Sequence, residues 1–249
     1  MKLEGRVAGG TGAGSKGSGR GTGKAMAVLF AREGAKVVLV DRNQDRLDET
    51  RQWIEDEGGT AVSVMVDLGD PGAARRIVDE TVERFGRIDI LVANAAAYGG
   101  SKFLETSPGD LQDVVAVNLI SPFMLSQAAI PIMIDGGGGS IIFISSVLAL
   151  RGGGNAAYAA TKASLSGLTI SLANTFGTQG IRVNCIVPGM VETPVRNVLA
   201  AREGIDLSKV DMGKSTSLGV QGDAWDVARA APFLGSADAQ FVTGVLLPV

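Results

Sequence analysis

Residues 7–41 restrict the possible folds more than any other stretch. A short strand opening at Arg6-Val7-Ala8 runs into a glycine-rich turn, Gly9-Gly10-Thr11-Gly12-Ala13-Gly14-Ser15-Lys16-Gly17-Ser18-Gly19. A helical pattern follows over 20–33, with Ala25, Met26, Val28, Leu29 and Phe30 supplying its apolar side. Gly34 stops that helix, and a β-rich run over 35–40 ends at Asp41. Strand, glycine turn, helix, strand and acid in this order form the first βαβ unit of a dinucleotide-binding sheet. Glycines let the backbone approach a pyrophosphate, and the helix start offers it free N–H groups. A carboxylate at Asp41 can accept both hydroxyls of a ribose. Gly23-Lys24 imitates the end of a phosphate loop, but Ser18 stands where that loop needs its first glycine and Ala25 where it needs a hydroxyl. That alternative is rejected.

The rest of the chain keeps alternating. A charged helix over 45–57 ends at Gly58-Gly59, and a strand over 61–66 leads to Asp67 and Leu68. A helix then runs from about Pro71 to Phe85, before a strand over 88–93 that ends at Asn94-Ala95-Ala96. An apolar helical stretch over 111–133, interrupted by Pro122 and Pro131, carries Asn118. The fifth strand, 140–146, closes on Ser145-Ser146, and a helix over 156–176 follows. Strand 181–187 leads to Pro188-Gly189-Met190-Val191-Glu192-Thr193, then to a flap at about 190–222, a helix over 223–234 and a strand over 241–247. The expectation is one α/β domain over 1–249: a Rossmann-type doubly wound parallel sheet of about seven strands, with helices on both faces. Ligands bind such sheets beyond the strands' carboxyl ends, where Asp41, Asp67, Asn94, Ser146 and Pro188-Gly189 all fall.

Composition removes whole classes of chemistry. The chain of 249 residues has no histidine, so a Ser-His-Asp hydrolase lacks its base. Cys185 is the single cysteine, which excludes an intrachain disulfide and argues against a zinc site; no metal is expected. A net charge of −3 gives no basic footprint for nucleic acid or an anionic membrane. No apolar run in the sequence reaches a membrane span, and the first residues lack a signal peptide's apolar core, so a cytoplasmic location is expected.

Tyr158 and Lys162 sit four apart, on one face of the helix over 156–176. A phenol titrates near ~10 and an ammonium near ~10.4, so neither alone carries protons at neutral pH. Side by side, the cation should favour the phenolate and lower the tyrosine pKa, giving an acid/base without histidine.

With these residues in order, the chain resembles the short-chain dehydrogenase/reductase family from about Leu3 to Val249. The resemblance rests on Thr11-Gly12 with Gly17 and Gly19, Asp67, Asn94-Ala95-Ala96, Asn118, Ser146, Tyr158 with Lys162, and Pro188-Gly189. It implies that Tyr158 is the acid/base, that Lys162 holds the nicotinamide ribose, and that Ser146 hydrogen-bonds the reacting oxygen, with Ser145 as its competitor. Asn118 would hold a water linking Lys162 to solvent, or else bridge backbone. The cofactor would lie along Gly12, Ser15, Lys16, Gly17, Ser18 and Gly19, then Asp41, Arg42, Asp67 and Leu68. Asn94 and Ala95 would flank it, Asn94 in a structural capacity, and Pro188, Gly189, Val191 and Thr193 would close it over.

Asp41 should repel a 2′-phosphate, which favours NAD; Lys16 and Arg42 pull towards NADP. The expected activity is NAD(H)-dependent interconversion of a secondary alcohol and a ketone. The alternatives are an NADP(H)-dependent reductase of ketones or acyl-carrier thioesters, and a non-catalytic nucleotide-binding regulator. The apolar helices over 111–133 and 156–176 suggest a homo-oligomer, as relatives pair there into tetramers. Gly9-Gly10 should weaken a central strand, Pro232 should kink or end the last helix, and Tyr98, Trp53 and Trp225 read as ordinary packing or surface residues.

Overall fold

The structure, a computed structural model, describes residues 1–15, 19–99, 102–153, 155–203, 206 and 213–249. Six strands follow in chain order: β1 (Val7–Thr11), β2 (Lys36–Asp41), β3 (Thr60–Met65), β4 (Ile90–Ala93), β5 (Gly139–Ile144) and β6 (Ile181–Val187). A two-residue pair, β7 (Val191–Glu192) with β8 (Gly222–Asp223), stands apart, and β9 (Leu246–Pro248) rejoins the main sheet. That sheet has the order β3-β2-β1-β4-β5-β6-β9 and is parallel at every pairing. The order reverses between β1 and β4, which opens a crevice at their carboxyl ends.

The helices between strands are α1 (Thr22–Arg32), α2 (Gln44–Asp56), α3 (Ala73–Phe85), α4 (Pro108–Val115), α5 (Ser121–Asp135), α6 (Leu148–Arg151), α7 (Ala156–Phe176), α8 (Pro194–Glu203) and α9 (Ala224–Gly235). Successive strand residues face opposite sides of a sheet. Ile142 and Ile144 therefore join Phe30, Leu47 and Val227 on one face, under α1, α2 and α9. Ile141 and Phe143 join Ile77, Leu125 and Leu165 on the other, under α3, α5 and α7. Covering both faces explains why the strands read as unbroken apolar runs rather than alternating ones.

Gly9 and Gly10 are strand residues, paired with Val38 and Leu39 on one side and Leu91 and Val92 on the other. A parallel ladder is made by backbone groups, so it forms without their side chains. The missing bulk instead leaves space: a Cβ at either glycine would meet nothing within 4 Å. A cavity of about 10 Å³ lies there, lined by Gly10, Gly23, Met26 and Phe30 among others.

Other expectations need correction. α9 runs through Pro232 to Gly235. Its end is held from outside, with Ser140 Oγ (2.9 Å) and Arg182 Nη2 (2.6 Å) both donating to the Leu234 carbonyl. The last strand covers only Leu246–Pro248, and Phe241 is fully exposed. The stretch carrying Asn118 is continuous helix from Pro108 to Asp135, with a π-helical turn at Ala116–Ile120. Its capping box (Ser107 with Asp110) and Pro108 fix where it starts. By length and hydropathy this run would qualify as a membrane span, contrary to the reading of the sequence; in the fold it packs against α3 and α7, with 44% of its most apolar window buried. Trp53 and Trp225 are packing residues, as expected: they meet edge to face at 6.0 Å against the core, with the Arg20 guanidinium within 5.7 Å of both rings.

Candidate active site

The crevice is built outward from Thr11. Its hydroxyl accepts the N–H groups of Asn94 (3.0 Å) and Ala95 (3.2 Å), which joins the carboxyl ends of β1 and β4. Asn94 Nδ2 donates to the carbonyls of Thr11 (3.1 Å) and Gly12 (3.3 Å), while its Oδ1 accepts from Thr22 Oγ1 (2.9 Å). One amide thus ties strand, turn and helix together, a structural arrangement. Gly12 has φ +67, and a Cβ there would lie 2.8 Å from Asn94 Nδ2. Gly23 is tighter still: its Cβ would lie 2.0 Å from the Gly12 carbonyl oxygen.

Close helix–strand packing is the task of the last glycine in a dinucleotide turn, and here Gly23 performs it. Gly-x-Gly recurs through 10–23, so the spacing alone did not single out Gly23 for this packing. Gly21 N–H donates to Ser15 Oγ (3.0 Å), closing the turn across five intervening residues. Of these, Lys16, Gly17 and Ser18 lie outside the described residues. Gly19 stands away from the helix packing, where a Cβ would meet Pro194 Cγ at 3.0 Å. No side chain caps the amino end of α1, and its first turn holds no acid. A bare helix start beside a cradle that any Cβ would fill suits a pyrophosphate.

Asp41 ends β2 beside this turn. Its Oδ2 accepts from Gly14 N–H (3.2 Å) and its Oδ1 from Asn43 N–H (3.1 Å), so the carboxylate is fixed against the turn. Arg42 pairs with Asp67 at 3.6 Å, but both are well exposed, and such pairs hold weakly. Asp67 Oδ1 also accepts from Gly69 N–H (2.9 Å), and Leu68 packs against the core on its side. Across the crevice, the Pro188 carbonyl accepts from Val147 N–H (2.8 Å), and Gly189 N–H donates to Val249 O (2.7 Å). Val191 pairs with Gly222, and Thr193 O accepts from Arg196 N–H as α8 begins. Met190, Leu148 and Ala96 are each partly exposed.

The residues expected to handle the proton lie just after β5 and in the first turns of α7. Asn155 caps α7, its Oδ1 accepting from Tyr158 N–H (3.0 Å). Ser145 Oγ is buried and donates to the Lys162 carbonyl (2.8 Å), whereas Ser146 is partly exposed and its Oγ accepts from Leu148 N–H (3.2 Å). Of the two serines, Ser146 is the one whose hydroxyl acts on the Tyr158 phenol. Asn118 is fully buried: both amide protons are used, on Ala97 O (2.9 Å) and Thr161 Oγ1 (3.1 Å), and Oδ1 takes Ala97 N–H (2.8 Å). That is the backbone-bridging arrangement rather than a side chain left open to a water.

Two findings depart from the reading of the sequence. Burial and the neighbouring Tyr98 raise the Tyr158 phenol well above its ordinary range, although the Ser146 hydroxyl works the other way. Lys162 does not offset this. Its Nζ donates to the Ile144 carbonyl (2.7 Å) and lies 5.8 Å from the centre of the Tyr158 ring, and burial pushes its pKa down to about 8. Tyr98, read as ordinary packing, stacks on Tyr158 with ring centroids 4.7 Å apart and planes 13° from parallel. The sequence carried no signal for this contact, because 60 positions separate the two residues.

The buried ammonium has a measurable consequence. The folded-state pKa of Lys162, about 8, lies below the ordinary value of 10.5. Between those values the unfolded chain holds a proton that the folded chain has released, so stability rises with pH across that window. Below about pH 8 the cost is present in full. Lys162→Met should therefore stabilise the fold near neutral pH by about 1–3 kcal/mol, and the gap from wild type should narrow above pH 8 and close only above 10.5. Urea unfolding of both proteins over that range checks this; a variant that is less stable at pH 7 would refute it.

A parallel sheet with a glycine turn at its switch point, and a tyrosine, lysine and serine at its carboxyl edge, defines a dinucleotide-binding α/β protein. Residues 17–249 match a family profile described as enoyl-(acyl carrier protein) reductase. The chain is 34% identical over 252 residues to a 3-oxoacyl-(acyl-carrier-protein) reductase FabG of Thermotoga maritima, covering 100% of this chain and 98% of that one. It is 37% identical over 250 residues to the 2,5-dichloro-2,5-cyclohexadiene-1,4-diol dehydrogenase LinX of Sphingobium indicum, covering 100% and 96%. Among solved structures, levodione reductase superimposes with a TM-score of 0.90 at 31% identity, covering 99% and 96% of the two chains. A Beutenbergia cavernae protein with NADP bound at low occupancy superimposes with a TM-score of 0.89 at 35% identity, covering 99% and 96%. The chain belongs to the short-chain dehydrogenase/reductase family of oxidoreductases, which bind a nicotinamide cofactor.

Proposed function

We propose that the protein is an NAD(H)-dependent oxidoreductase that interconverts a secondary alcohol and a ketone, with Tyr158 as acid/base. The observation that carries this reading is that Ser146, after β5, acts on the phenol of Tyr158, at the start of α7, on the same edge of the sheet as the Gly12 turn. The nicotinamide, when bound, donates or accepts the hydride. Ser146 hydrogen-bonds the substrate oxygen where charge develops. Tyr158 gives its proton to that oxygen in reduction and takes it back in oxidation. Held protonated at neutral pH, it is better placed as the acid, so reduction runs at neutral pH and oxidation gains as pH rises. Lys162 anchors the floor of the site and holds a ribose, and Asn118 fixes the loop that carries Ala97.

The adenosine end would be held by Asp41, with Gly12 and the start of α1 on the pyrophosphate. A fixed carboxylate repels a 2′-phosphate and pairs with a 2′-hydroxyl, which favours NAD. The second reading, an NADP(H)-dependent reductase of ketones or acyl-carrier thioesters, is supported by the exposed Arg42 and by the NADP in the Beutenbergia relative. Titration of NADH and NADPH into wild type and Asp41→Asn separates the two. Under the first reading NADH binds more tightly, and the substitution raises NADPH affinity about tenfold or more. A wild-type preference for NADPH sinks it.

As to partners, the substrate is a small uncharged alcohol or ketone, and the protein works in the cytoplasm as a homo-oligomer. Phe123, Met124 and Ile170 are each more than 40% exposed on α5 and α7. A groove of about 500 Å³ lies between these helices, lined by Phe123, Ile130, Leu168, Leu172 and Phe176 among others. Apolar surface of this extent favours association. Sedimentation that finds a monomer at micromolar concentration would overturn this part of the reading.

A further inference from the structure

Three contacts bolt down the loop that carries Tyr98. Ala97 donates its N–H to Asn118 Oδ1, and its carbonyl accepts from Asn118 Nδ2. Gly99, at φ +62, packs so closely on α4 that a Cβ would lie 2.7 Å from Val114 Cγ2. Between them, the Tyr98 carbonyl accepts from Asn155 Nδ2. The other arm of the same amide, Asn155 Oδ1, accepts the Tyr158 N–H. One asparagine therefore holds the backbones of both tyrosines, and their rings lie face to face at 4.7 Å. Chance packing does not require a shared clamp.

We propose that Tyr98 is a positioning residue for the acid/base: stacked on Tyr158 and clamped to the same helix cap, it fixes the plane of the reacting phenol. The inference rests on the reading of Tyr158 as acid/base. With one face of the phenol covered, the substrate oxygen approaches along the edge that Ser146 occupies. The titration behaviour agrees with this, since burial raises both phenols and each responds to the other's hydroxyl.

These are the only two tyrosines in the chain, so the near-ultraviolet absorbance of tyrosinate reads this pair alone, without substrate. Two phenols stacked this closely repel when both ionise, so they titrate as a pair, with steps separated by more than about one pH unit. Wild type is expected to show two such steps, and Tyr98→Phe and Tyr158→Phe one step each. The Tyr158 step in Tyr98→Phe should fall below the upper wild-type step by about one pH unit or more. A wild-type curve equal to the sum of the two single-variant curves overturns the proposal. Far-ultraviolet circular dichroism on the same samples confirms that the fold persists. If the chain unfolds first, isotope-labelled tyrosine is compared at neutral pH in wild type and Tyr98→Leu. The Tyr158 ring resonance must then move as the stacked ring is lost, and an unmoved resonance overturns the proposal. In addition, Tyr98→Phe should lower kcat on a cyclic secondary alcohol while NADH binding stays as in wild type. An equal loss of NADH binding would mark Tyr98 as merely structural and also overturn it. Should Tyr158→Phe keep full turnover, the acid/base reading fails, while the two-phenol titration still stands or falls on its own.

Discussion

Tyr158→Phe should lower turnover about 10²–10⁴-fold, the usual contribution of a positioned general acid or base, on any alcohol or ketone the wild type converts. The substitution removes one oxygen and keeps the ring stacked on Tyr98, and Asn155 still caps the backbone N–H of residue 158. The fold and the cofactor site should therefore survive. NADH affinity and the thermal midpoint are expected to match wild type, with the loss confined to kcat. Steady-state kinetics paired with cofactor titration check this. Wild-type turnover by the variant would remove Tyr158 from the chemistry and return the non-catalytic regulator to the front.

Gly23→Ala is the second large effect, and two opposing terms decide it. By helix propensity alone, alanine inside α1 should gain about 0.8–1 kcal/mol over glycine. The added Cβ, however, would stand 2.0 Å from the Gly12 carbonyl oxygen and 2.5 Å from Asn94 Nδ2. The first of these is backbone in a turn, so the helix must move. Overpacking of this kind costs about 1–3 kcal/mol or more, and the displacement falls on the cradle meant for the pyrophosphate. Net destabilisation is expected, together with at least a tenfold loss of NADH affinity, roughly 1.4 kcal/mol. Gly10→Ala makes the opposite control. Its φ is negative and the space beside it is open, so the change should stabilise the fold by about 0.4–1 kcal/mol. Thermal unfolding of the two variants side by side tests the pair; a Gly23→Ala protein as stable as wild type, binding NADH equally well, would show that α1 does not need the close approach.

Asp41 was legible because it ends a β-rich run about twenty residues after the glycines, and the fold adds that its carboxylate is held in place by the Gly14 and Asn43 N–H groups. The tyrosine–lysine pair was legible as a spacing, but its electrostatics were not. Four residues along a helix brings Lys162 near the Tyr158 ring; it does not say that the ammonium turns to the Ile144 carbonyl. The pKa of a buried group depends on what surrounds it in three dimensions, and here those surroundings raise the phenol instead of lowering it.

Local pattern by itself determined the βαβ alternation, the parallel sheet, the absence of histidine chemistry and the ends of α7, since these follow from periodicity, caps and composition along the chain. Tertiary structure alone decided which Gly-x-Gly pair packs the helix, whether Gly9-Gly10 could stand in a central strand, how α9 passes Pro232, and what lies against Tyr158. Each of these turns on contact between segments far apart in sequence: Gly23 on Gly12 across the turn, Ser140 and Arg182 on Leu234, Tyr98 on Tyr158. Such contacts leave no periodic trace, because a residue's distant neighbour is fixed by how the layers stack and not by its spacing along the chain.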